Sequence, residues 1–220
     1  GHEWAGALVS IVIREDLSRR TELSKSQLTG ADFCQTAAWY GIHDRRPMIP
    51  AERLTFGSAI DAACEQIVYA AARGADGDGK PMQAALEVAA RDEMDLDWQE
   101  VTAAIEGCRA SMLPLFDWAG AVVQPTVRAD IEGLGPCSGH PDIILADGTI
   151  LDVKTGTRAK DAFGLELGFY ALLVEASGLA VPRVGYLMWR RLKSPSWQLP
   201  VPIIDVTDEL RRYAMARATA

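Results

Sequence analysis

The chain has 220 residues, with 22 Lys+Arg against 30 Asp+Glu and a formal net charge of -8. Apolar residues make up 49% and charged residues 24%, so the chain can bury a sizeable core, and disordered, collagen-like and disulfide-stapled classes are excluded. The acidic balance argues against a protein that holds nucleic acid by bulk charge, because nonspecific binding to phosphates needs an excess of Lys and Arg.

Two features of the sequence bear on the compartment. The apolar stretch from Ala5 to Ile13 is interrupted by Ser10 and has no basic segment before it, so it predicts neither a signal peptide nor a membrane span. Four cysteines without CxxC or CxxH spacing indicate free thiols in a reducing compartment: Cys34, Cys64, Cys108 and Cys137. We therefore expect a cytoplasmic protein with no membrane partner.

Helical periodicity dominates the first half of the chain. A first helix is predicted to begin at Ser24, and a second runs from Ala51 to Arg73, followed by a glycine-rich loop over 74–79. Two further amphipathic runs predict helices from Pro81 to Glu93 and from Asp97 to Trp118.

After Gly120 the pattern changes to that of strands. Strands are predicted at Val122–Ile131, Pro141–Leu145, Ile150–Lys154, Val184–Trp189 and Trp197–Ile204, and helices at Asp161–Ser177 and Asp208–Arg217. The sequence thus predicts one α+β (α/β) domain over 1–220 with a mixed sheet. It has a mainly helical part over 1–120, a sheet-and-helix part over 121–205 and a closing helix over 206–220.

Three ionisable residues interrupt two apolar strands around an Ala-Asp-Gly turn at 146–148. Asp152 and Lys154 are two residues apart and share one face of their strand. A two-residue turn would pair Ile143 with Asp152 and send Asp142 to the opposite face, whereas a three-residue loop with a left-handed glycine pairs Asp142 with Asp152. We prefer the second register, because the first buries an isolated carboxylate.

Two directly opposed carboxylates repel each other unless a cation lies between them. A divalent ion such as Mg²⁺ accepts one or two carboxylates together with water and phosphate oxygens. Lys154 beside them can orient an attacking water and offset charge that develops on phosphorus. The alternative interpretation is a structural Asp–Lys ion pair next to a turn-capping Asp.

These residues resemble a known family. Pro141-Asp142 followed by Asp152-Val153-Lys154 is similar to the PD-(D/E)XK nuclease signature, and the run 152–156 resembles its RecB-like and CRISPR-adaptation branch. Leu23–Leu28 with Phe33-Cys34 is similar to that branch's N-terminal helix. Phe56–Asp61 is similar to its glycine-to-histidine motif, and Glu166 with Tyr170 is similar to its Gln-xxx-Tyr motif. The resemblance runs in order from about Ser24 to Tyr170.

The resemblance implies a restriction-endonuclease-like core, a small mixed sheet flanked by helices. Asp142, Asp152 and the main-chain carbonyl of Val153 would be ligands of Mg²⁺ or Mn²⁺, and Lys154 the catalytic lysine. Asp61 stands where the family usually has a metal-binding His; carboxylate oxygen suits Mg²⁺ equally well. The alternative for Asp61 is a solvated helix residue beside Glu65.

The same resemblance implies substrate contacts. Glu166 replaces the family's Gln, and an added acid near a phosphate repels it unless the acid is protonated or metal-bound. Tyr170 would contact substrate, with a core aromatic as the alternative. Arg158 and Lys160 follow Lys154 closely and are the best candidates for phosphate contact.

Other basic and aromatic residues give weaker signals. Basic clusters at 19–25, 45–46 and 190–193 could touch a nucleic-acid backbone, although such clusters are more often solvated surface. Trp189 and Trp197 could stack on bases, although aromatics in strands are more often core. Many members of the branch hold an iron–sulfur cluster through four cysteines, but no Cys follows Cys137, so we expect none.

The function implied is a Mg²⁺- or Mn²⁺-dependent DNA exonuclease serving recombination, repair or end processing. A phage is among the sources that the resemblance allows, in which case the enzyme works in the host cytoplasm. Its partners would be DNA and a recombination or helicase protein. The alternatives are an inactive DNA-binding or partner-docking module of the same fold and a PD-(D/E)XK endonuclease.

Overall fold

The computed structural model describes Leu23–Ser24 and residues 51–74, 80–157 and 162–218. Five α-helices lie within these ranges: α1 (Glu52–Ala72), α2 (Pro81–Arg91), α3 (Trp98–Gly107), α4 (Ala162–Ala176) and α5 (Asp208–Ala218). A π-helical turn (Cys108–Met112) and a 3₁₀ turn (Leu113–Leu115) follow α3. None of the described helices combines the length and apolar character that a membrane span needs.

Nine strands form two sheets within the described residues. A three-stranded sheet has the order β1-β4-β3, from β1 (Leu23–Ser24), β3 (Val127–Ile131) and β4 (Gly135–Gly139). The larger sheet has the order β2-β5-β6-β7-β8, with β9 also on β7: β2 (Val122–Val123), β5 (Ile143–Ile144), β6 (Ile150–Gly156), β7 (Arg183–Arg190), β8 (Ser196–Trp197) and β9 (Ile203–Asp205). Strands β6 and β7 are parallel and their other neighbours are antiparallel, so the predicted α+β class with a mixed sheet is confirmed.

Helices cover both faces of the larger sheet. Leu151 and Val153 of β6 pack into one apolar cluster with α1, α2 and α3. Ile150 packs into a second cluster with α4, α5 and strands β3 and β4. Because side chains alternate along a strand, Asp152 and Lys154 fall on the face of Ile150, the face that α4 covers.

Two predicted strands are each divided in the structure. The strand predicted at Val122–Ile131 is wrong as one element: it separates into β2 and β3, which lie in different sheets. Between them Gln124 has φ +49 and Pro125 lacks an N–H donor, so the ladder cannot continue. The strand predicted at Trp197–Ile204 separates into β8 and β9, which pair with different stretches of β7, and Pro200 lies between them.

The predicted helix from Asp97 to Trp118 is α-helical only as far as Gly107 and continues as the π-helical and 3₁₀ turns to Leu115. Asp97 caps α3, since its Oδ1 accepts from the backbone N–H groups of Gln99 and Glu100. The helix ends at Gly107, where an added Cβ would lie 2.9 Å from Trp197 Cδ1, so the glycine permits close packing. The helix predicted to begin at Ser24 was wrong at its first residue, which belongs to β1; its remainder and the basic clusters at 19–25 and 45–46 lie outside the described residues.

One carboxylate joins α3 to the sheet and to α1. Glu100 accepts from Trp189 Nε1 at 3.0 Å and forms a two-pronged ion pair with Arg191, whose Nη2 is 2.9 Å from Oε2. The Arg191 guanidinium also lies 4.0 Å from the ring centroid of Phe56. Of the predicted basic cluster at 190–193, Arg191 is therefore engaged in a structural contact.

We expect Glu100→Ala to lower the free energy of unfolding by about 2 kcal/mol or more, because it removes the acceptor of the Trp189 indole N–H and leaves the partly buried Arg191 guanidinium with its 3.3 Å contact to the exposed Glu52. Urea unfolding measures this. The matched control is Glu106→Ala on the same helix, where the side chain is exposed and a change of no more than about 0.5 kcal/mol is expected. Equal losses for the two variants would contradict the structural role.

Candidate active site

The turn between β5 and β6 sets the register of the charged residues. Leu145 N donates to Thr149 O at 2.9 Å, Gly148 N donates to Leu145 O at 2.9 Å, and Gly148 has φ +85. Since Ile143 pairs with Leu151, the same register carries Asp142 opposite Asp152. The preferred three-residue loop is confirmed, and the two-residue alternative is wrong. We call Asp142, Asp152 and Lys154 the carboxylate centre.

Asp142 is held by hydrogen bonds beyond the end of β5. Its Oδ2 accepts from the backbone N–H of Val153 at 2.7 Å, and its Oδ1 accepts from Gln124 Nε2 at 3.3 Å. Burial, and next the negative charges of Asp152 and Asp61, raise the pKa of Asp142 well above its usual range. This environment disfavours the ionised carboxylate unless a further positive charge is added.

Asp152 is 1% exposed and its two oxygens have different surroundings. Oδ2 forms an ion pair with Lys154 Nζ, whereas Oδ1 is buried with no hydrogen-bond partner among the described residues. Lys154 Nζ is also 3.0 Å from Glu166 Oε2. Burial opposes the charge on Lys154, but Asp152, Glu166 and Asp142 outweigh it and raise the pKa of this ammonium. Lys154 is therefore a cation held among carboxylates.

A cleft of about 440 Å³ opens onto this centre and is lined by residues of α1 and by residues from both faces of β6. Asp142, Asp152 and Lys154 line it from the sheet, and Asp61 lines it from α1. Helix α1 approaches β6 closely at Gly57, where an added Cβ would lie 3.0 Å from Thr155 Oγ1. The structure thus brings Asp61 to the same cleft as the two opposed carboxylates.

Sequence reasoning missed three residues around this cleft. Arg53 and Ser58 line its α1 wall, and Gln124 binds Asp142. Arg53, Gly57 and Asp61 recur at intervals of four residues, which is one helix face, so the pattern could have revealed Arg53. Gln124 lay inside a predicted strand, and no local signal marks its positive φ.

The predicted substrate-contact residues have different placements. Glu166 forms an ion pair with Lys154, with its Oε2 3.0 Å from Nζ. Tyr170 is 1% exposed and its hydroxyl donates to the carbonyl of His140 at 2.9 Å, the placement of a core aromatic. Its role in substrate binding stays a prediction. Arg158 and Lys160 lie outside the described residues.

The carboxylate centre suits a hard divalent cation held by few protein ligands. No ready-made cluster of three His, Cys, Asp or Glu side chains occurs in the part of the chain that the structure describes. The buried Asp152 Oδ1 nevertheless lacks a partner, and the Asp142 and Asp152 carboxylates destabilise each other. Mg²⁺ fits such a donor set, because it keeps several waters and needs only one or two carboxylates.

The described tryptophans of the predicted strands and the described cysteines lie in the buried core. Trp189 and Trp197 are buried, lie edge to face with centroids 5.6 Å apart, and donate to Glu100 and the Ala104 carbonyl. They form part of the core and are closed to base stacking. Cys64 Sγ and Cys108 Sγ are 3.8 Å apart in one apolar cluster, while Cys137 lies in the other; Cys34 is outside the described residues.

Comparison with known proteins gives a likeness of fold. No protein-family model and no curated protein matches the chain. The crystal structure of a candidate exonuclease from Eubacterium rectale aligns over 90% of this chain and 77% of its own, with TM-score 0.63 and 14% identity. The crystal structure of SSO0001 aligns over 98% of this chain and 82% of its own, with TM-score 0.38 and 11% identity. The chain shares the α/β fold of the Eubacterium rectale structure.

Proposed function

We propose that this protein is a metal-dependent DNA nuclease that hydrolyses phosphodiester bonds, most specifically an exonuclease of the RecB-like type. The observation that carries the proposal is the buried meeting of Asp142, Asp152 and Lys154 on a cleft that also receives Asp61. Facing carboxylates raise each other's free energy, and Lys154, which pairs with Asp152, does not compensate the charge of the buried Asp142. A bound divalent cation would.

The chain's own residues would divide the work. Asp142, Asp152, the Val153 carbonyl and Asp61 would hold Mg²⁺ or Mn²⁺, which when bound polarises the scissile phosphate and activates water. Asp142 also fixes the backbone of Val153 through its 2.7 Å hydrogen bond.

Lys154 supplies a fixed positive charge beside the carboxylates. Its ammonium retains its proton because Asp152 and Glu166 stabilise the charged form. It can therefore orient water and offset negative charge that develops on the phosphate in the transition state. Glu166 has a positioning role in this scheme, since it holds Lys154 rather than the substrate.

The test is digestion of end-labelled DNA by the full chain with Mg²⁺ or Mn²⁺. Single-stranded and duplex linear forms, labelled at either end, are compared with a closed circle. We expect linear DNA to shorten from an end while the circle stays intact. A cut circle would replace the exonuclease by an endonuclease with the same chemistry. Failure to cleave any form would overturn the proposal and leave a DNA-binding module.

Removal of divalent cations is expected to reduce cleavage to background and lower thermal stability. A cation bound only to the native state adds about 2.7 kcal/mol at a concentration of 100 times its Kd. The measurement is cleavage and thermal melting in EDTA, then after adding Mg²⁺ or Mn²⁺ in excess. Cleavage that continues unchanged in EDTA would contradict the metal requirement.

A further inference from the structure

Arg53 stands out among the charged residues of the cleft. It lies in the first turn of α1, on the helix face that also carries Gly57 and Asp61. Its side chain is exposed, and within the described residues no hydrogen bond or ion pair engages its guanidinium. An arginine left in this state beside a wall of carboxylates is available to an anionic ligand.

The other cation lining the cleft is already occupied. Lys154 contacts Asp152 and Glu166, and its side chain is 17% exposed. The remaining charged residues that line the cleft are acids, and the whole chain carries a net charge of -8. The acidic residues of the cleft therefore repel a DNA strand that enters it. Among the described lining residues, Arg53 is the main side chain that can offset this repulsion.

We propose that Arg53 binds a phosphate group next to the scissile phosphate on the same DNA strand. This contact would hold the strand in the cleft. This inference rests on the proposed function and names a substrate-positioning residue for it. A guanidinium offers two parallel N–H donors to phosphate oxygens, which a lysine cannot match. Leu54, also on the cleft and 44% exposed, gives an apolar contact for the sugar or base of the same nucleotide.

The experiment measures binding of a fluorescent single-stranded oligonucleotide in Ca²⁺, with the strand checked by gel to be intact. Wild type, Arg53→Ala, Arg53→Lys and Arg73→Ala are compared over a range of salt concentrations. Arg73 is a matched control because it follows α1 at its other end, about 30 Å away at 1.5 Å per residue. Thermal melting confirms that each variant is folded.

We expect Arg53→Ala to weaken binding about tenfold or more and to lower the slope of log affinity against log salt by about 0.7, one phosphate contact on a single strand. Arg53→Lys should keep the slope but recover only part of the affinity, and Arg73→Ala should change little. A series of oligonucleotides, each with one neutral methylphosphonate linkage at a different position, locates the contact. At one position the neutral linkage should weaken DNA binding by wild type but not by Arg53→Ala.

An unchanged salt slope in Arg53→Ala, or equal losses in Arg53→Ala and Arg73→Ala, would overturn the inference while the nuclease proposal stands. The Arg53 inference is likewise overturned, and the nuclease proposal kept, if wild type cleaves DNA and Arg53→Ala binds the oligonucleotide as tightly as wild type does. Absence of both DNA binding and cleavage in wild type would overturn the two together.

Discussion

Asp142→Asn is expected to lower DNA cleavage by at least about 10³-fold while the metal-free protein stays as stable as wild type or becomes more stable. The carboxylate at this position is buried and repelled by Asp152 and Asp61, so removing its charge relieves an unfavourable interaction. The Asn carbonyl can still accept the hydrogen bond from Val153 N. Gln124 can keep its contact with this side chain by turning its amide, so that Oε1 accepts from the Asn Nδ2.

Urea unfolding in EDTA and cleavage in Mg²⁺ measure the two effects on the same preparations. The variant should also lose most of the thermal stabilisation that Mg²⁺ or Mn²⁺ gives to wild type. If Asp142 had only a structural role, the reverse pattern would be expected. Asp142→Asn would then lower the free energy of unfolding, and DNA cleavage would fall only in proportion to the unfolded fraction. That result would remove Asp142 from the proposed metal site.

Gly148→Ala is expected to lower the free energy of unfolding by about 3 kcal/mol or more. Gly148 has φ +85, a left-handed conformation that alanine adopts at a cost, and a Cβ there would collide with the carbonyl oxygen of Ala180. Because that neighbour is backbone, it cannot move aside as a flexible side chain does. The turn must then change and disturb the pairing of Asp142 with Asp152, so cleavage should fall as well.

Gly135→Ala is the matched control for this turn. Gly135 has nearly the same backbone angle, φ +81, but an added Cβ meets nothing within 4 Å. The loss should be only the conformational part, about 1–2 kcal/mol. Thermal or urea unfolding of both variants measures the difference. Equal destabilisation would show that the contact with Ala180 is unimportant.

The geometry of the carboxylate centre could be predicted because burial makes the alternatives unequal. Strand alternation places Asp152 and Lys154 on one face, and a slip of one residue would leave Asp142 buried alone. The pairing of Lys154 with Glu166 could not be predicted, because it depends on how α4 lies across the sheet. The same tertiary placement brings Asp61 and Arg53 of α1 to the cleft.

Strand β4 shows where sequence reasoning fails for a physical reason. The segment Gly135-Pro136-Cys137-Ser138-Gly139 has the composition of a turn, and no strand was predicted there. It becomes a strand because β3 and β1 pair with its two edges. Neither partner is visible in the local pattern, so division into two sheets was also unforeseen.

The acidic charge of the chain has a consequence for substrate binding. Asp61, Asp142 and Asp152 place three of the acids at the cleft itself. A divalent cation bound there would offset two of these negative charges, so DNA binding at the cleft should depend on the cation as much as hydrolysis does. Arg53 adds a positive charge at the rim of the same cleft.

Whether the carboxylate centre hydrolyses DNA is tested most directly by digesting end-labelled linear DNA in Mg²⁺ with wild type, Asp152→Asn and Lys154→Ala. All three proteins are first shown to be folded by thermal melting. We predict that wild type releases labelled nucleotides and that both variants leave the DNA intact over the same period. Cleavage by the variants at the wild-type rate, or no release by wild type with either Mg²⁺ or Mn²⁺, would contradict the proposed function.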